Sequence, residues 1–358
     1  MMSSRASPVA RPGTQGFSKA GWVPALQNHA RMIFPAGMTR AEAAVKMRFL
    51  LPGIFVCCVL AAAPVRADDI TTGVEYFAES AGNKIRIWEK VAGTADGKPV
   101  IVLAHGSGTA GQGSFDLQVP DETDTSLMDV LARDGFDVFA PDMRGFGLST
   151  HPETGVTTVE AAEDLNAAVD VIRALRHTDK VHVVAWSWGT QYAGLFVIAH
   201  PEKVSRFVSY AQMHANSPDI LKRRERLEEF RKGPYMDVPE AAWKKRFSSM
   251  TPETANGQDV IDAFAREAAR VETRSPTGPH IDMVTKLPML DAGKITVPTL
   301  MIHGQFDDVA DIDGLMPFFK ALANPEKSYV IVPNAGHMAH LQEGRSLLQS
   351  EIAGFLRR

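Results

Sequence analysis

Cysteine is almost absent from this sequence, and both copies lie near the N-terminus. The chain of 358 residues contains two cysteines, Cys57 and Cys58, and no cysteine follows them. The remainder of the chain therefore has no disulfide, no thiolate nucleophile and no cysteine ligand for a metal ion. Cysteine catalysis and disulfide stabilisation are excluded for everything that follows residue 58.

Residue spacings that are typical of metal or phosphate binding are also missing. The histidines include no His-x-x-x-His pair, and no pair of carboxylates or cysteines has the spacing of a metal site. The glycine-rich stretch HGSGTAGQG, residues 105–113, lacks the lysine of a phosphate-binding loop and is not followed by a helical pattern. We therefore predict that the protein has no metal and no cofactor.

Positive charge is scarce beyond the N-terminal segment. Residues 1–67 contain eight lysines or arginines and a single acid, Glu42, which leaves 30 basic and 41 acidic residues in the rest of the chain. An acidic protein surface repels the phosphate backbone of nucleic acids. The charge distribution therefore predicts a partner other than nucleic acid.

The basic N-terminal segment resembles an export signal. Lys46 and Arg48 precede an apolar run over residues 49–63, and the small-x-small sequence 65–67 precedes Asp68. The run of about 15 residues is short for a membrane span, so we expect cleavage and no stable membrane insertion, with an uncleaved anchor as the alternative. Residues 47–67 are thus predicted to be a signal peptide of a periplasmic or secreted protein.

Residues 1–46 precede this signal and are rich in arginine, alanine, proline and glycine without a clear period. Such a composition favours disorder. We expect either a disordered extension or a wrongly assigned start, with Met47 as the initiator.

From residue 68 onward, runs that are typical of buried strands alternate with amphipathic helical stretches. This alternation predicts an α/β fold with a mostly parallel central sheet flanked by helices. It stops over residues 215–293, where the chain is highly charged and helical in pattern. We predict a core of residues 68–214 and 294–358 with residues 215–293 inserted as a helical lid, and we interpret the run ILKRRERLEEFRK as a solvated helix face.

Chemically interesting residues follow four of the predicted strands. Ser187 follows VHVVAW, HGSG (residues 105–108) follows VIVLA, Asp307 follows TLMIHGQF and His337 follows YVIVPNAG. The carboxyl ends of the strands are where open α/β sheets bind ligands. A serine hydroxyl becomes a nucleophile when an imidazole takes its proton and a carboxylate orients that imidazole. These residue types, in this order, predict nucleophilic catalysis.

Several motifs together resemble the α/β-hydrolase family: AWSWG around Ser187, HGSG, DMRGFGLS (residues 142–149), HGQFDD and NAGH. Ala185 and Gly189 supply the small residues that a sharp strand-to-helix turn needs, with Ala185 where the G-x-S-x-G motif has its first glycine. The resemblance covers roughly residues 75–358. It implies that Ser187 is the nucleophile, Asp307 the acid and His337 the base.

The same resemblance implies an oxyanion hole made of two backbone amides, those of Ser107 and Trp188. The amide of Trp188 directly follows the nucleophile at the start of a helix, where negative charge is favoured, and Ser107 follows the HG pair.

Alternatives to these assignments are present nearby in the sequence. Three more aspartates compete with Asp307 for the acid role, and another histidine competes with His337 for the base role; they are Asp308, Asp311, Asp313 and His340. His105 and His303 are interpreted as structural, and one of Trp186 and Trp188 is a candidate wall of the acyl pocket.

These features together predict a serine hydrolase that cleaves a small-molecule carboxylic ester through an acyl-enzyme. A peptidase similar to proline iminopeptidases, a carbon–carbon bond hydrolase and an acyltransferase are the alternatives within the family. A ligand-binding protein without catalysis is the alternative from another class. The sequence leaves the oligomeric state open.

Overall fold

A computed structural model describes residues 70, 73–215, 217–249 and 257–358. The predicted N-terminal extension, residues 1–46, and the predicted signal peptide, residues 47–67, lie outside the described residues. Nothing in the fold therefore bears on these two predictions.

The strands of the described residues form one eight-stranded sheet and a separate two-stranded sheet. In chain order they are β1 (Val74–Ser80), β2 (Asn83–Val91), β3 (Val100–Ala104), β4 (Asp137–Pro141), β5 (Val181–Trp186), β6 (Val204–Tyr210), β7 (Tyr235–Asp237), β8 (Arg274–Pro276), β9 (Thr299–Gly304) and β10 (Lys327–Val332).

The large sheet has the strand order β1-β2-β4-β3-β5-β6-β9-β10. The pairings from β4 to β10 are all parallel, whereas β1–β2 and β2–β4 are antiparallel. Because the parallel strands β3, β5, β6, β9 and β10 run in one direction, their carboxyl ends share one edge of the sheet. The predicted fold class, a mostly parallel sheet flanked by helices, is confirmed.

Strands β3 and β5 lie in the middle of this sheet and are almost entirely apolar. Every residue of VIVLA in β3 is buried, and in VHVVAW of β5 only His182 is partly exposed. Strands that are covered on both faces are apolar throughout rather than alternating. The buried centre of the sheet therefore provides a rigid base for the turn that follows β5.

The helices of the described residues connect and cover these strands. They are α1 (Gly111–Phe115), α2 (Leu127–Arg133), α3 (Thr158–Arg176), α4 (Gly189–Ala199), α5 (Pro218–Glu225), α6 (Leu227–Phe230), α7 (Glu240–Ser249), α8 (Gln258–Val271), α9 (Gly278–Lys286), α10 (Met316–Ala321) and α11 (Arg345–Leu356). None of the helices in this part of the chain is long and apolar enough to cross a membrane.

Two helix starts differ in how well the local sequence predicts them. Thr157 begins α3 with a capping box, because its side chain accepts from the amide of Glu160 while the Glu160 carboxylate accepts from the amide of Thr157. The short helix α1 begins at Gly111, within the glycine-rich stretch 105–113, where no helical pattern was expected. Ser114 and Phe115 of this helix are buried in the core. The local sequence does not show that these two residues are buried.

The segment between β6 and β9 contains α5 to α9 and the small antiparallel sheet of β7 and β8. Helix α7 packs against α8, and α5 packs against α9. The interpretation of the run ILKRRERLEEFRK as a solvated face is correct for Arg226 and Arg231, which are exposed and pair with Glu229 and Glu228. It is wrong for Arg223, which is buried, because α9 packs over that side of α5.

Candidate active site

Ser187 lies on a sharp turn between β5 and α4. Its φ angle is 57°, in the left-handed region that non-glycine residues seldom adopt. The amide of Ser187 donates to the carbonyl oxygen of Tyr210 on β6 at 3.0 Å, which fixes the turn to the sheet. A Cβ atom on Gly189 would lie 2.3 Å from the carbonyl oxygen of Ala104, so α4 can begin this close to β3 only with glycine there.

The turn brings the Ser187 hydroxyl to a histidine that follows the last strand of the sheet. The Oγ atom of Ser187 lies 2.8 Å from Nε2 of His337. Nδ1 of His337 lies 3.0 Å from each carboxylate oxygen of Asp307. With the proton on Nδ1, the ring donates to Asp307 and accepts from the Ser187 hydroxyl at Nε2. The structure therefore places the three sequence-predicted residues in one hydrogen-bonded chain.

The Asp307 carboxylate is held in its charged form by its surroundings. Burial alone favours the neutral acid, but the charge and hydrogen bond of His337 and the amide of Ala310 outweigh burial and hold the pKa of Asp307 below its ordinary value. The amides of Val309 and Ala310 donate to Oδ1 at 3.0 and 2.8 Å. Asp307 can therefore orient the imidazole and balance its positive charge.

The competing aspartates differ from Asp307 in their contacts and exposure. Asp311 caps a turn by accepting from the amide of Asp313 at 3.1 Å, and its carbonyl oxygen lies 2.6 Å from Nε2 of His214. Asp308 is exposed, and partial desolvation together with the charge of Asp307 raises its pKa. Within the described residues, Asp307 is the aspartate that contacts His337.

The other buried histidines serve the structure of the strand ends. Nε2 of His105 accepts from the amide of Met143, and Nε2 of His303 accepts from the amide of Gln212. Burial lowers the pKa of His105 and of His303 to about 4, so both rings are neutral near pH 7. His340 contacts the carbonyl oxygen of Ser114 at 3.1 Å, and burial lowers its pKa to about 3.

Two aromatic residues hold His337 in place, and the sequence analysis did not identify this role. The indole Nε1 of Trp186 and the hydroxyl of Tyr210 both donate to the backbone carbonyl oxygen of His337, each at 3.0 Å. The Trp186 ring also packs against the His337 ring, with centroids 5.5 Å apart. Because Trp186 directly precedes Ser187, the segment that carries the hydroxyl also positions the imidazole.

The two residues whose amides are predicted to form the oxyanion hole lie close to Ser187, since Trp188 follows it in the chain and Ser107 lines the same cleft. Trp188 is the N-cap of α4, and amides at a helix N-terminus have no acceptor within the helix. A Cβ atom on Gly106 would lie 3.3 Å from Cβ of Ser187, so the loop that carries Ser107 passes directly beside the hydroxyl. The oxyanion role of these amides stays a prediction.

A narrow cleft opens beside Ser187, with a volume of about 370 Å³ that includes the part open to solvent. Trp186 lines it, whereas Trp188 is fully buried and donates from Nε1 to the Thr158 hydroxyl. The segment between β6 and β9 also contributes to the lining of this cleft. Five of its residues line it: Arg223, Trp243, Arg246, Phe247 and Phe264. The sequence analysis missed these residues, because no motif marks which side of a charged helix faces the core.

No group of three or more histidine, cysteine or acidic side chains that could hold a metal ion occurs within the described ranges. Beside the cleft, the site offers a hydroxyl, an imidazole, a carboxylate and a helix N-terminus.

Several known proteins are similar to this chain in sequence. A hydrolase of 2-hydroxy-6-oxononadienedioate and 2-hydroxy-6-oxononatrienedioate from Klebsiella pneumoniae is 24% identical over 302 residues, which are 78% of this chain and 94% of the relative. A proline iminopeptidase of Xylella fastidiosa is 23% identical over 299 residues, 71% of this chain and 88% of the relative.

Among solved structures, a thermophilic esterase from Thermogutta terrifontis is similar in fold, with a TM-score of 0.58. The sequence identity is 20%, and the match covers 80% of this chain and 98% of the esterase chain. The family model described as alpha/beta hydrolase fold matches residues 99–344, more than half of the sequence. The chain belongs to the α/β-hydrolase fold family.

Proposed function

We propose that this protein is a serine hydrolase that cleaves a small-molecule carboxylic ester through an acyl-enzyme. The observation that carries the proposal is the chain of contacts from the Ser187 hydroxyl through His337 to Asp307, beside an open cleft. Nucleophile, base and orienting acid lie within hydrogen-bond distance of one another, which is the arrangement that acyl transfer by a serine uses.

In the first half of the reaction, the Oγ atom of Ser187 attacks the ester carbonyl carbon while Nε2 of His337 takes the hydroxyl proton. The negative charge that develops on the carbonyl oxygen is stabilised by the amides of Ser107 and Trp188. The tetrahedral intermediate then collapses, the bond to the alcohol oxygen breaks, and His337 gives its proton to the departing alcohol. Asp307 stabilises the imidazolium that exists between these two steps.

In the second half, water replaces the alcohol. His337 takes a proton from the water molecule as its oxygen attacks the acyl carbon. The bond to Ser187 then breaks, and His337 returns the proton to the Ser187 oxygen. The carboxylic acid leaves and the free enzyme is restored.

Carbon–carbon bond hydrolysis is the second candidate, because the Klebsiella relative carries out that kind of reaction by name. A peptidase reaction is favoured less, because the HGSGT of this chain departs from the HGGPG of proline iminopeptidases. An acyltransferase would use the same residues with an alcohol or amine in place of water.

The nucleophile can be tested with a fluorophosphonate probe, which phosphonylates an activated serine. We expect the wild-type protein to be labelled and Ser187→Ala to remain unlabelled, as read by in-gel fluorescence. Ser328→Ala, on β10 and far from the turn, should label like wild type. A wild-type protein that stays unlabelled would favour the non-catalytic ligand-binding alternative.

The role of the acid can be tested with a pair of neighbouring aspartates. Asp307→Asn removes the charge that orients His337, and kcat should fall by roughly 10⁴-fold. Asp308→Asn alters an exposed carboxyl for which no hydrogen bond to His337 is described, and it should change kcat by less than about three-fold. Equal losses in the two variants would contradict the assignment of Asp307.

The bond that is cleaved can be tested with three chromogenic substrate classes assayed under one set of conditions: p-nitrophenyl esters, proline p-nitroanilide and a 2-hydroxy-6-oxohexa-2,4-dienoate. We expect the esters to have the highest kcat/KM and Ser187→Ala to be inactive on all three. A higher kcat/KM on the dienoate or on the anilide would replace the ester proposal with the corresponding alternative.

We further propose that the protein is exported and cleaved before Asp68, on the basis of the sequence of residues 46–67. Expression of the full chain in a Gram-negative bacterium, followed by fractionation and N-terminal sequencing, should give a periplasmic or secreted protein that begins at Asp68. Val59→Arg, which interrupts the apolar run, should stay unprocessed. A cytoplasmic wild-type protein that keeps residues 47–67 would contradict export.

A further inference from the structure

The loop that carries Ser107, residues 105–111, contacts the inserted segment between β6 and β9; we call it the Ser107 loop. Ser107 lies between Gly106 and Gly108, and glycine has the greatest backbone freedom of all residues. A Cβ atom on Gly108 would lie 3.4 Å from Cζ3 of Trp243, so this ring of α7 packs directly on the loop. The local sequence restrains the Ser107 amide weakly, and its direction therefore depends on contacts with other segments.

Glu272, at the end of α8, holds the far end of the Ser107 loop. Its Oε1 atom accepts from the amide of Gly147 at 2.6 Å, and the amide of Ala110 also donates to the carboxyl group. Glu272 is 1% exposed, so bulk water does not compete for these hydrogen bonds. One carboxyl group of the inserted segment thus joins two backbone segments of the core.

Asp142 holds the same two backbone segments from within the core. Its Oδ1 atom accepts from the amide of Gly111 at 2.9 Å, and its Oδ2 atom accepts from the amide of Leu148 at 3.2 Å. A Cβ atom on Gly147 would lie 2.3 Å from Oδ2 of Asp142, so the segments meet with no room for a side chain there. The amides at this junction are therefore divided between a core carboxyl group and an inserted one.

The surroundings of Glu272 suit a neutral acid. Burial, and after it the charge of Asp142, raise the pKa of Glu272 well above its ordinary value, although the amides of Gly147 and Ala110 act in the opposite direction. Its Oε2 atom is buried and has no hydrogen-bond partner within the described residues. Since Oε1 is the atom that accepts from Gly147, glutamine, which has the same shape and the same acceptor oxygen, is the conservative replacement.

Ser275 on β8 contacts the Ser107 loop at its centre. The Ser275 hydroxyl donates to the backbone carbonyl oxygen of Ser107 at 3.3 Å, a long hydrogen bond between two buried residues. Ser275 is itself paired with Met236 of β7, so its hydroxyl projects from an ordered strand. Because the carbonyl and the amide of Ser107 belong to one residue, a contact that fixes the carbonyl also restricts the direction of the amide.

We propose that Glu272 and Ser275 are positioning residues, which hold the Ser107 loop so that the Ser107 amide faces the oxygen that becomes negative in the transition state. Neither residue is among those that line the cleft, and both act through the backbone of the loop. The oxyanion hole is then completed by the inserted segment rather than by the core alone. This inference deepens the proposed function and rests on it.

The rate test uses p-nitrophenyl butyrate and three variants. Glu272→Ala removes the acceptor of the loop amides, and kcat should fall by roughly 10- to 100-fold, up to the loss caused by removing one oxyanion donor. Ser275→Ala removes one long hydrogen bond, and kcat should fall by roughly three- to ten-fold. Glu272→Gln should keep kcat within about three-fold of wild type, because the acceptor oxygen remains. An unchanged kcat in Glu272→Ala would overturn the inference.

Thr277→Val is the matched control for the loss of a buried hydroxyl. The Thr277 hydroxyl donates to the carbonyl oxygen of Gly233 at 2.6 Å, a bond that stays within the inserted segment. Thr277→Val and Ser275→Ala each remove one such bond, and each should lower Tm by a few degrees. We expect kcat to fall in Ser275→Ala alone. An equal fall of kcat in both variants would reduce the effect to general destabilisation and overturn the role of Ser275.

A transition-state analogue distinguishes positioning from a general structural defect. The ketone 1,1,1-trifluoropentan-2-one carries the propyl chain of butyrate. The Oγ atom of Ser187 adds to its carbonyl carbon while His337 takes the hydroxyl proton, which leaves a negative oxygen in the oxyanion hole. In Glu272→Ala, Ki for the ketone should rise by about the factor by which kcat/KM falls, and Ki for butyrate should change by less than about three-fold. Equal weakening of ketone and butyrate would contradict positioning.

Hydrogen exchange measured by mass spectrometry separates the inference from the proposed reaction. In the Ser187→Ala protein, amides of residues 105–111 should exchange faster after the further change Glu272→Ala and at an unchanged rate after Thr277→Val. If wild type hydrolyses no ester while exchange responds in this way, the proposed reaction is wrong and the support of the Ser107 loop stands. If wild type hydrolyses the ester while Glu272→Ala alters neither exchange nor kcat, the reaction stands and the inference is overturned.

Discussion

The left-handed turn at Ser187 is the constraint on which the rest of the site depends. A non-glycine residue in this conformation costs on the order of 1–3 kcal/mol, and the surrounding structure must supply that free energy. The buried strands β3 and β6 do so, because the amide of Ser187 bonds to β6 and Gly189 lets α4 begin against β3. The turn then brings the hydroxyl to within hydrogen-bond distance of His337, next to the start of α4.

The same turn connects the nucleophile to its base. Trp186 immediately precedes Ser187 and donates to the carbonyl oxygen of His337, and Tyr210 accepts the Ser187 amide at its backbone while its side chain donates to that same carbonyl oxygen. The hydroxyl and the imidazole therefore share their supports.

Catalysis and specificity come from different parts of the chain. The sheet edge provides the hydroxyl, the imidazole and the carboxylate, which suit any acyl compound. The segment between β6 and β9 provides the aromatic rings and the guanidiniums of Arg223 and Arg246. A fold shared by many hydrolases does not decide the substrate, so the residues that this segment contributes to the cleft are the ones that bear on specificity.

The sequence by itself determined the fold class and the order of the strands that end in Ser187, Asp307 and His337, because periodicity and short motifs are local properties of a chain. Only the tertiary structure decided that Tyr210 supports His337 and that Arg223, in a run of charges that resembled a solvated face, is buried beside the nucleophile. The support of His337 and the burial of Arg223 both depend on contacts between segments that are far apart in the chain. A local stretch of sequence does not specify such contacts.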